Sequence, residues 1–103
     1  MQTHPKNRDD VIVESPHMRR VIARLDQANV SGYSVMPIMA RRGHDSSWTA
    51  DGQISNATQM LAIVCLLDAS KVDELLESIF GVIFHQIGFV TISDVSVVRP
   101  ERF

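Results

Sequence analysis

The residues best suited to chemistry cluster in a polar segment in the middle of the chain, RRGHDSSWTADGQISNATQ, residues 41–59. Its first two residues, Arg41 and Arg42, carry guanidinium groups that can donate paired hydrogen bonds to a phosphate. Hydroxyls, backbone amides and amide side chains, such as those around Ser46 and Gln53, can hold a small planar anion without excess positive charge. This segment therefore predicts anion binding.

The sequence lacks the residue patterns that are typical of a metal site or of a catalytic nucleophile. The four histidines (His4, His17, His44 and His85) are scattered, with no two at the spacing of metal ligands, and Cys65 is the only cysteine. A metal site within one subunit and an internal disulfide are therefore not expected. Cys65 lies in an apolar run, which favours a small core residue over a nucleophile. No pair of residues is placed as a general acid and base.

The composition is typical of one soluble domain. The 103 residues are 45% hydrophobic and 21% charged, with a formal net charge of −2, so neither disorder nor a nucleic-acid surface is expected. The longest apolar run, residues 60–67, is too short to cross a bilayer, and the N-terminus has no signal-peptide pattern. We expect a cytoplasmic protein without membrane insertion, with a flexible arm at residues 1–8 and one domain at residues 9–103.

Two helices and four strands must position the polar segment. β-Branched and apolar runs predict strands at residues 9–14, 30–39, 60–68 and 89–98. Helices are expected after Ser15, an N-cap followed by a proline, and after a capping-box-like start at Ser70. Asn29 should end the first helix in the left-handed region. The predicted apolar faces are Met18, Val21, Ile22, Leu25 and Ala28 on the first helix and Val72, Leu75, Leu76, Ile79 and Phe80 on the second.

The order βαββαβ predicts an α+β, ferredoxin-like fold, an antiparallel sheet with both helices on one face. The strand at residues 60–68 is apolar on both faces, so the other sheet face should also be covered. No remaining segment can cover it, which predicts self-association with sheet faces packed together. The connection between the second and third strands, at about residues 40–59, is far longer than a hairpin needs. Unpaired loops of this length are usually functional.

Three stretches, in this order and spacing, resemble the PII signal transduction family: NVSGYSV before the loop, KVDELLESI in the second helix and DVSVVR near the end. The resemblance implies a homotrimer with an adenine nucleotide in each cleft between subunits. It also implies that the loop at about residues 40–59 is the T-loop, which senses ligands and contacts partners.

The chain differs from the nitrogen-sensing members of that family. FGVIFHQIGF stands where those members carry a glycine- and lysine-rich B-loop, and the T-loop contains no tyrosine. The motif RRGHDSSW…DGQ resembles instead PII-like proteins associated with carboxysome and inorganic-carbon operons, which bind ADP or AMP and respond to bicarbonate. This implies no prosthetic group, and a bicarbonate transporter or a carboxysome-related protein as the class of partner for the T-loop.

The resemblance also implies the positions of both sites. A phosphate should meet the loop base, the B-loop and above all Arg99, while adenine should meet Ser34 and a strand backbone. The expected nucleotide-binding residues are Ser34, Arg41, Arg42, Gly43, Val64, Cys65, Leu66, Gln86, Ile87, Gly88, Arg99 and Arg102. The expected bicarbonate-binding residues are His44, Ser46, Ser47, Trp48, Gly52 and Gln53.

Three other functions remain open. One is a general nitrogen- or energy-sensing PII regulator that binds ATP or ADP. Another is a small ferredoxin-fold phosphohydrolase, against which the first turn, ESPHM, argues, because it lacks the arginine and glycine of an anion cradle. The third is an oligomerising or metal-tolerance trimer of similar fold, which would not need the serine–tryptophan loop.

Overall fold

The computed structural model describes residues 1–42, 47–49 and 59–99. Within these residues the chain forms six strands and two α-helices. In chain order they are β1 (His4–Glu14), α1 (Met18–Gln27), β2 (Tyr33–Ile38), β3 (Ala40–Arg42), β4 (Ser47–Thr49), β5 (Met60–Leu67), α2 (Val72–Ile83) and β6 (Gly88–Val97). A single 3-10 turn precedes each helix, at Ser15–His17 and at Ala69–Lys71. None of the helices that the structure describes is long and apolar enough to cross a membrane.

Four strands form one sheet in the order β2-β5-β1-β6, with every neighbouring pair antiparallel. The two central strands are therefore the first and the third of the four in the chain, as in a split βαβ arrangement. Residues of both helices pack with those of one sheet face in a single core. The predicted ferredoxin-like α+β fold is confirmed.

The ends of the strands differ from the prediction, most of all in β1. It begins at His4 rather than at Asp9, because His4 pairs with Val97 of β6 and Asn7 pairs with Leu67 of β5. Residues 4–8, which the sequence places in a flexible arm, thus belong to a strand of the sheet. Their polar composition does not predict a strand, but pairing with β6 along residues 4–8, and with β5 at Asn7 and Arg8, satisfies their backbone groups.

The helix starts also differ from the prediction. Neither α1 nor α2 has a side-chain cap, and their N-cap residues are His17 and Lys71. Ser15 and Ser70 lie inside the 3-10 turns instead, and the Ser15 amide donates to the Gln59 carbonyl over 2.7 Å. A tight turn that links strand to helix supplies the backbone partners that a capping side chain would otherwise provide. The predicted capping roles of both serines are therefore wrong.

The loop predicted to be unpaired contains a short ribbon. β3 and β4 are antiparallel, and Arg41 pairs with Trp48 and Arg42 with Ser47. The expectation of no strand is therefore wrong for Ala40–Arg42 and Ser47–Thr49. Three-residue strands are too short for a period to be visible in the sequence.

Alternate residues of the central strands face the helices and form the core. Val11, Ile63, Val21 and Leu75 are fully buried there, and the predicted apolar face of α1 is confirmed. The face of α2 is rotated from the predicted one, because Phe80 is 57% exposed. Its buried residues are Leu75, Ile79, Val82 and Ile83.

The other sheet face carries a continuous set of apolar residues, including Ile12 of β1, Val64 of β5, Met36 of β2 and Phe89 of β6. We call this surface the open face. Met36 and Phe89 remain 43% and 40% exposed. The apolar sequence of β5 predicts this second apolar face, and an exposed patch of this kind is typical of a contact surface; the predicted self-association stays a prediction.

The first residue of β6, Gly88, packs against the backbone of β1. A Cβ atom at this position would lie 2.7 Å from the Ile12 carbonyl oxygen and 3.3 Å from Cγ1 of Val13. Gly88→Ala should therefore separate the strands locally and lower the free energy of unfolding by about 1–3 kcal/mol. Denaturant unfolding checks this, with Gly81→Ala as the control, because a Cβ atom at Gly81 would meet no atom within 4 Å. Equal stability of the two variants would contradict the packing role.

Candidate functional site

Two adjoining cavities lie on the open face, near the end of the sheet where β1 begins. One, of about 550 Å³, is lined by Arg8, Leu66, residues 95–98 and Arg99. The other, of about 340 Å³, is lined by Arg8, residues 32–34 and residues 64–66. Arg8 and Leu66 line both, so the cavities share a wall. Both volumes fall in the range of small-molecule sites, about 300–1,000 Å³.

This arrangement brings part of the predicted nucleotide site together. Ser34 and Val64, Cys65 and Leu66 line the smaller cavity, and Arg99 lines the larger one. A hydroxyl and strand backbone beside an apolar surface suit a planar base, whereas a guanidinium suits a phosphate. The structure therefore groups these five residues at one end of the sheet, and their roles in nucleotide binding stay a prediction.

Arg99 has an unusual backbone conformation. Its φ is 133°, a region that L-residues rarely adopt and that carries strain. Such strain persists where the surrounding structure requires it, often at ligand sites. The conformation follows the end of β6 at Val97, and Arg99 lies at the wall of the larger cavity.

The other predicted residues lie at the opposite end of the sheet. Gln86, Ile87 and Gly88 come directly before or at the start of β6, whose ten residues separate them from Arg99 by about 30 Å. Ile87 is 56% exposed. Ribbon strand β3, with Arg41 and Arg42, follows the end of β2 that is paired with the start of β5. Within one chain, the described residues of the predicted nucleotide site therefore form two groups, which lie at opposite ends of the same sheet.

Several predicted residues fall outside the described part of the chain. These are Gly43 and Arg102 of the nucleotide site and His44, Ser46, Gly52 and Gln53 of the bicarbonate site. Of the bicarbonate-site residues, the structure gives the backbone of Ser47 and Trp48, in β4. Among the described residues, no three potential metal ligands converge.

A buried carboxyl group lies on the opposite, helix-facing side of β1. Asp9 is fully buried, and neither carboxylate oxygen has a hydrogen-bond partner among the described residues. Burial, and then the nearby charge of Asp10, raise the pKa of Asp9 to about 6. Its cross-strand partner on β5 is Cys65, whose pKa is raised to about 12 by burial and then by the charges of Asp9 and Asp10. Cys65 is thus a core thiol, as expected, and its side chain is poorly suited to nucleophilic attack.

Sequence reasoning misses Arg8. Its Nε donates to Oδ1 of Asp10 over 2.8 Å and its Nη2 to Oδ2 over 3.1 Å. The sequence does contain the spacing for this ion pair, because Arg8 and Asp10 are two residues apart and residues two apart in a strand share a face. The spacing is hidden by the polar composition of residues 4–8, which predicts an arm rather than a strand.

Most of the chain matches the sequence model of a known protein family. Residues 10–102 match the sequence model of the family described as Nitrogen regulatory protein P-II. No curated protein matches the chain significantly.

Solved structures with the same fold include two PII-like proteins. One is CPII, a nitrogen regulatory PII-like protein from Thiomonas intermedia K12, in a structure bound to ADP, AMP and bicarbonate. It matches with a TM-score of 0.88 and 22% sequence identity, and the match covers 99% of this chain and 96% of the CPII chain. A putative PII-like signaling protein from Thermus thermophilus has a TM-score of 0.82 and 19% identity, over 100% and 99%. At these identities the likeness shows a shared fold.

Proposed function

Because the chain belongs to the nitrogen regulatory protein P-II family, we propose that it is a sensory protein that binds ADP or AMP in the clefts between the subunits of a homotrimer. Bicarbonate then orders the T-loop, at about residues 40–59. The ordered loop regulates inorganic-carbon uptake or carboxysome function through a partner such as a bicarbonate transporter.

The observation that carries this proposal is the division of the candidate site between two ends of one sheet. Ser34, residues 64–66 and Arg99 form one half, and Arg41, Arg42 and residues 86–88 form the other. About 30 Å of strand keeps the halves apart within a chain. Contact between neighbouring copies is therefore needed to complete a site, and the apolar open face supplies a surface for that contact.

In the completed cleft, each half has a distinct chemical task. The smaller cavity receives adenine between the backbone of residues 64–66 and the Ser34 hydroxyl. Arg99 donates charged hydrogen bonds to the phosphates. From the neighbouring subunit, Gln86, Ile87 and Gly88 approach a phosphate or ribose hydroxyl, and Arg41, Arg42 and Gly43 at the loop base donate to the phosphates. Arg102 serves the same anion as Arg99.

The bicarbonate response is assigned to the T-loop. CPII, which shares the fold, has been solved with ADP, AMP and bicarbonate. In the present chain, His44, Ser46, Ser47, Gly52 and Gln53 supply donors for a small anion, with Trp48 as a cover. A ligand that binds one loop conformation more tightly shifts the loop toward that conformation, and so toward one partner complex.

Calorimetric titration of AMP, ADP and ATP, each with and without bicarbonate, tests the proposal. We expect ADP and AMP to bind, and bicarbonate to tighten their binding by about 5- to 150-fold, the usual range of coupling between two sites. Removal of residues 44–55 should preserve nucleotide binding and abolish the bicarbonate effect.

Each other result selects a different function. Nucleotide binding that is indifferent to bicarbonate, with ATP bound as well as ADP, would favour the general nitrogen- or energy-sensing regulator. Absence of nucleotide binding would contradict the proposal and leave the oligomerising trimer. Release of inorganic phosphate from ATP or ADP at a steady rate would favour the phosphohydrolase.

A further inference from the structure

Arg8 occupies a position between the two cavities that the proposed function does not use. It lies in β1 on the open face, directly opposite Leu66 of β5 and Ser93 of β6. The smaller cavity, with Ser34 and residues 64–66, lies on one side of it, and the larger cavity, with Arg99, on the other. A ligand that fills both cavities must therefore pass Arg8.

The guanidinium of Arg8 is already held in place. The two hydrogen bonds to Asp10 use the Nε–H group and one N–H of Nη2, which leaves three of its five N–H groups without a partner among the described residues. The Arg8 side chain is 42% exposed and that of Asp10 is 24% exposed. A guanidinium held along one edge loses less rotational freedom when its other edge binds an anion.

The position of Arg8 selects the part of the ligand that it can meet. The smaller cavity suits a base, and Arg99, which lines only the larger cavity, suits the phosphates farther from the base. A group at the shared wall therefore faces the section of a nucleotide between base and distal phosphates. The anionic group in that section is the phosphate bonded to the sugar, which AMP, ADP and ATP all contain.

We propose that Arg8 is a further nucleotide-binding residue, which donates hydrogen bonds to the phosphate attached to the sugar of an adenine nucleotide. This rests on the proposed function. It differs from the role of Arg99, because Arg8 recognises a group common to all three nucleotides. The competing explanation is that Arg8 and Asp10 form only a surface ion pair, which contributes little to stability and nothing to binding.

Titration of the full-length Arg8→Gln variant with AMP, ADP, ATP and adenosine separates the two explanations. We expect the affinity for AMP, ADP and ATP to fall by a similar factor, about 10- to 100-fold, as for the loss of a charged hydrogen bond. Adenosine, measured by displacement of ADP, should bind within about twofold of its wild-type affinity, because it has no phosphate. The matched control is Arg20→Gln, which removes the same charge from an exposed position on α1 and should change none of the four affinities.

Each contrary result overturns a specific statement. Equal affinities in Arg8→Gln and Arg20→Gln, with wild-type protein that binds nucleotide, would overturn the role of Arg8 and leave the proposed function intact. An equal loss for adenosine would also overturn it, because the effect would then not depend on phosphate. Wild-type protein that binds no adenine nucleotide would overturn the proposed function itself.

A second variant keeps the test valid if Arg8→Gln does not fold. Arg8→Lys retains the charge and the aliphatic stem but not the paired donors of the guanidinium. It should lower the three nucleotide affinities by a smaller common factor, about three- to tenfold, with thermal unfolding unchanged. Wild-type affinities in Arg8→Lys would overturn the proposal.

Discussion

As the pH rises from 4 to 7, the free energy of unfolding of the Asp9→Asn variant should increase by about 2–3 kcal/mol relative to that of the wild-type protein. The physical reason is the burial of the Asp9 carboxyl without a hydrogen-bond partner among the described residues, which raises its pKa from 3.8 to about 6. One unit of pKa corresponds to about 1.4 kcal/mol between the two protonation states.

The sign follows from the direction of the shift. Because the pKa of Asp9 is higher in the folded state than in the unfolded state, the neutral carboxyl is favoured in the folded protein. Its stabilising contribution is fully present below the unfolded pKa of 3.8 and is lost as the pH rises through about 6. At neutral pH the wild-type protein therefore contains a buried charge, which an asparagine of similar size does not carry.

Urea unfolding at several pH values and one protein concentration measures this difference, because oligomer stability depends on concentration. The control is Asp26→Asn, on an exposed part of α1, whose stability should follow the wild-type curve. If the Asp9→Asn and wild-type curves run parallel from pH 4 to pH 7, Asp9 ionises without penalty, and the buried-carboxyl account is wrong.

The Ile12→Glu variant should be monomeric at concentrations where the proposed trimer of the wild-type protein forms. Ile12 lies on the open face of the central strand β1, between its cross-strand partners Ala62 of β5 and Phe89 of β6. A trimer that packs the open faces together would bury the new carboxylate in an apolar contact, where an unpaired charge is costly. We expect the concentration at half-dissociation to rise by at least about 10³-fold, equivalent to about 4 kcal/mol for each of the two association steps that form a trimer.

Sedimentation equilibrium measures the assembly against the 11.5 kDa mass of one chain. The control is Phe80→Glu, because Phe80 is 57% exposed on α2 and the helices pack on the opposite face of the sheet. This variant should remain a trimer. A trimeric Ile12→Glu together with a dissociated Phe80→Glu would place the subunit contact on the helices instead of the open face.

The periods of apolar residues were sufficient to predict the fold. The doubly apolar run of β5, the three-and-four spacing of α1 and the left-handed Asn29, with a φ of 58°, each depend on neighbours a few residues away, which a local pattern contains. The predictions were wrong where the structure of a segment depends on pairing with residues far away in the sequence. Residues 4–8 form a strand because all of them pair with β6, from His4 opposite Val97 onward, and Asn7 and Arg8 also pair with β5. No local pattern in a polar stretch indicates this pairing.

The residues of the candidate site show the same contrast between what local sequence predicts and what only the tertiary structure reveals. The resemblance implies a nucleotide site at Arg99, Ser34 and residues 64–66, and the structure groups these residues at two adjoining cavities; their binding role stays a prediction. Sequence reasoning does not single out Arg8, because the cavity wall that it forms is shared by strands that are distant in sequence. The sequence predicts that Gly88 contacts the nucleotide, and the structure adds a close approach to the Ile12 carbonyl.

By itself, the sequence determined the number and order of the principal elements, the apolar centre of the sheet and the presence of an unusually long polar loop. These properties follow from composition and from periods within single segments. Tertiary structure alone decided that Asp9 is buried without a hydrogen-bond partner in the described residues, that Arg8 stands between two cavities, and that the candidate site is split between two ends of one sheet. The reason is that burial and strand pairing join residues far apart in the chain, such as Asn7 and Asp94, whose side chains hydrogen-bond across 87 positions of sequence.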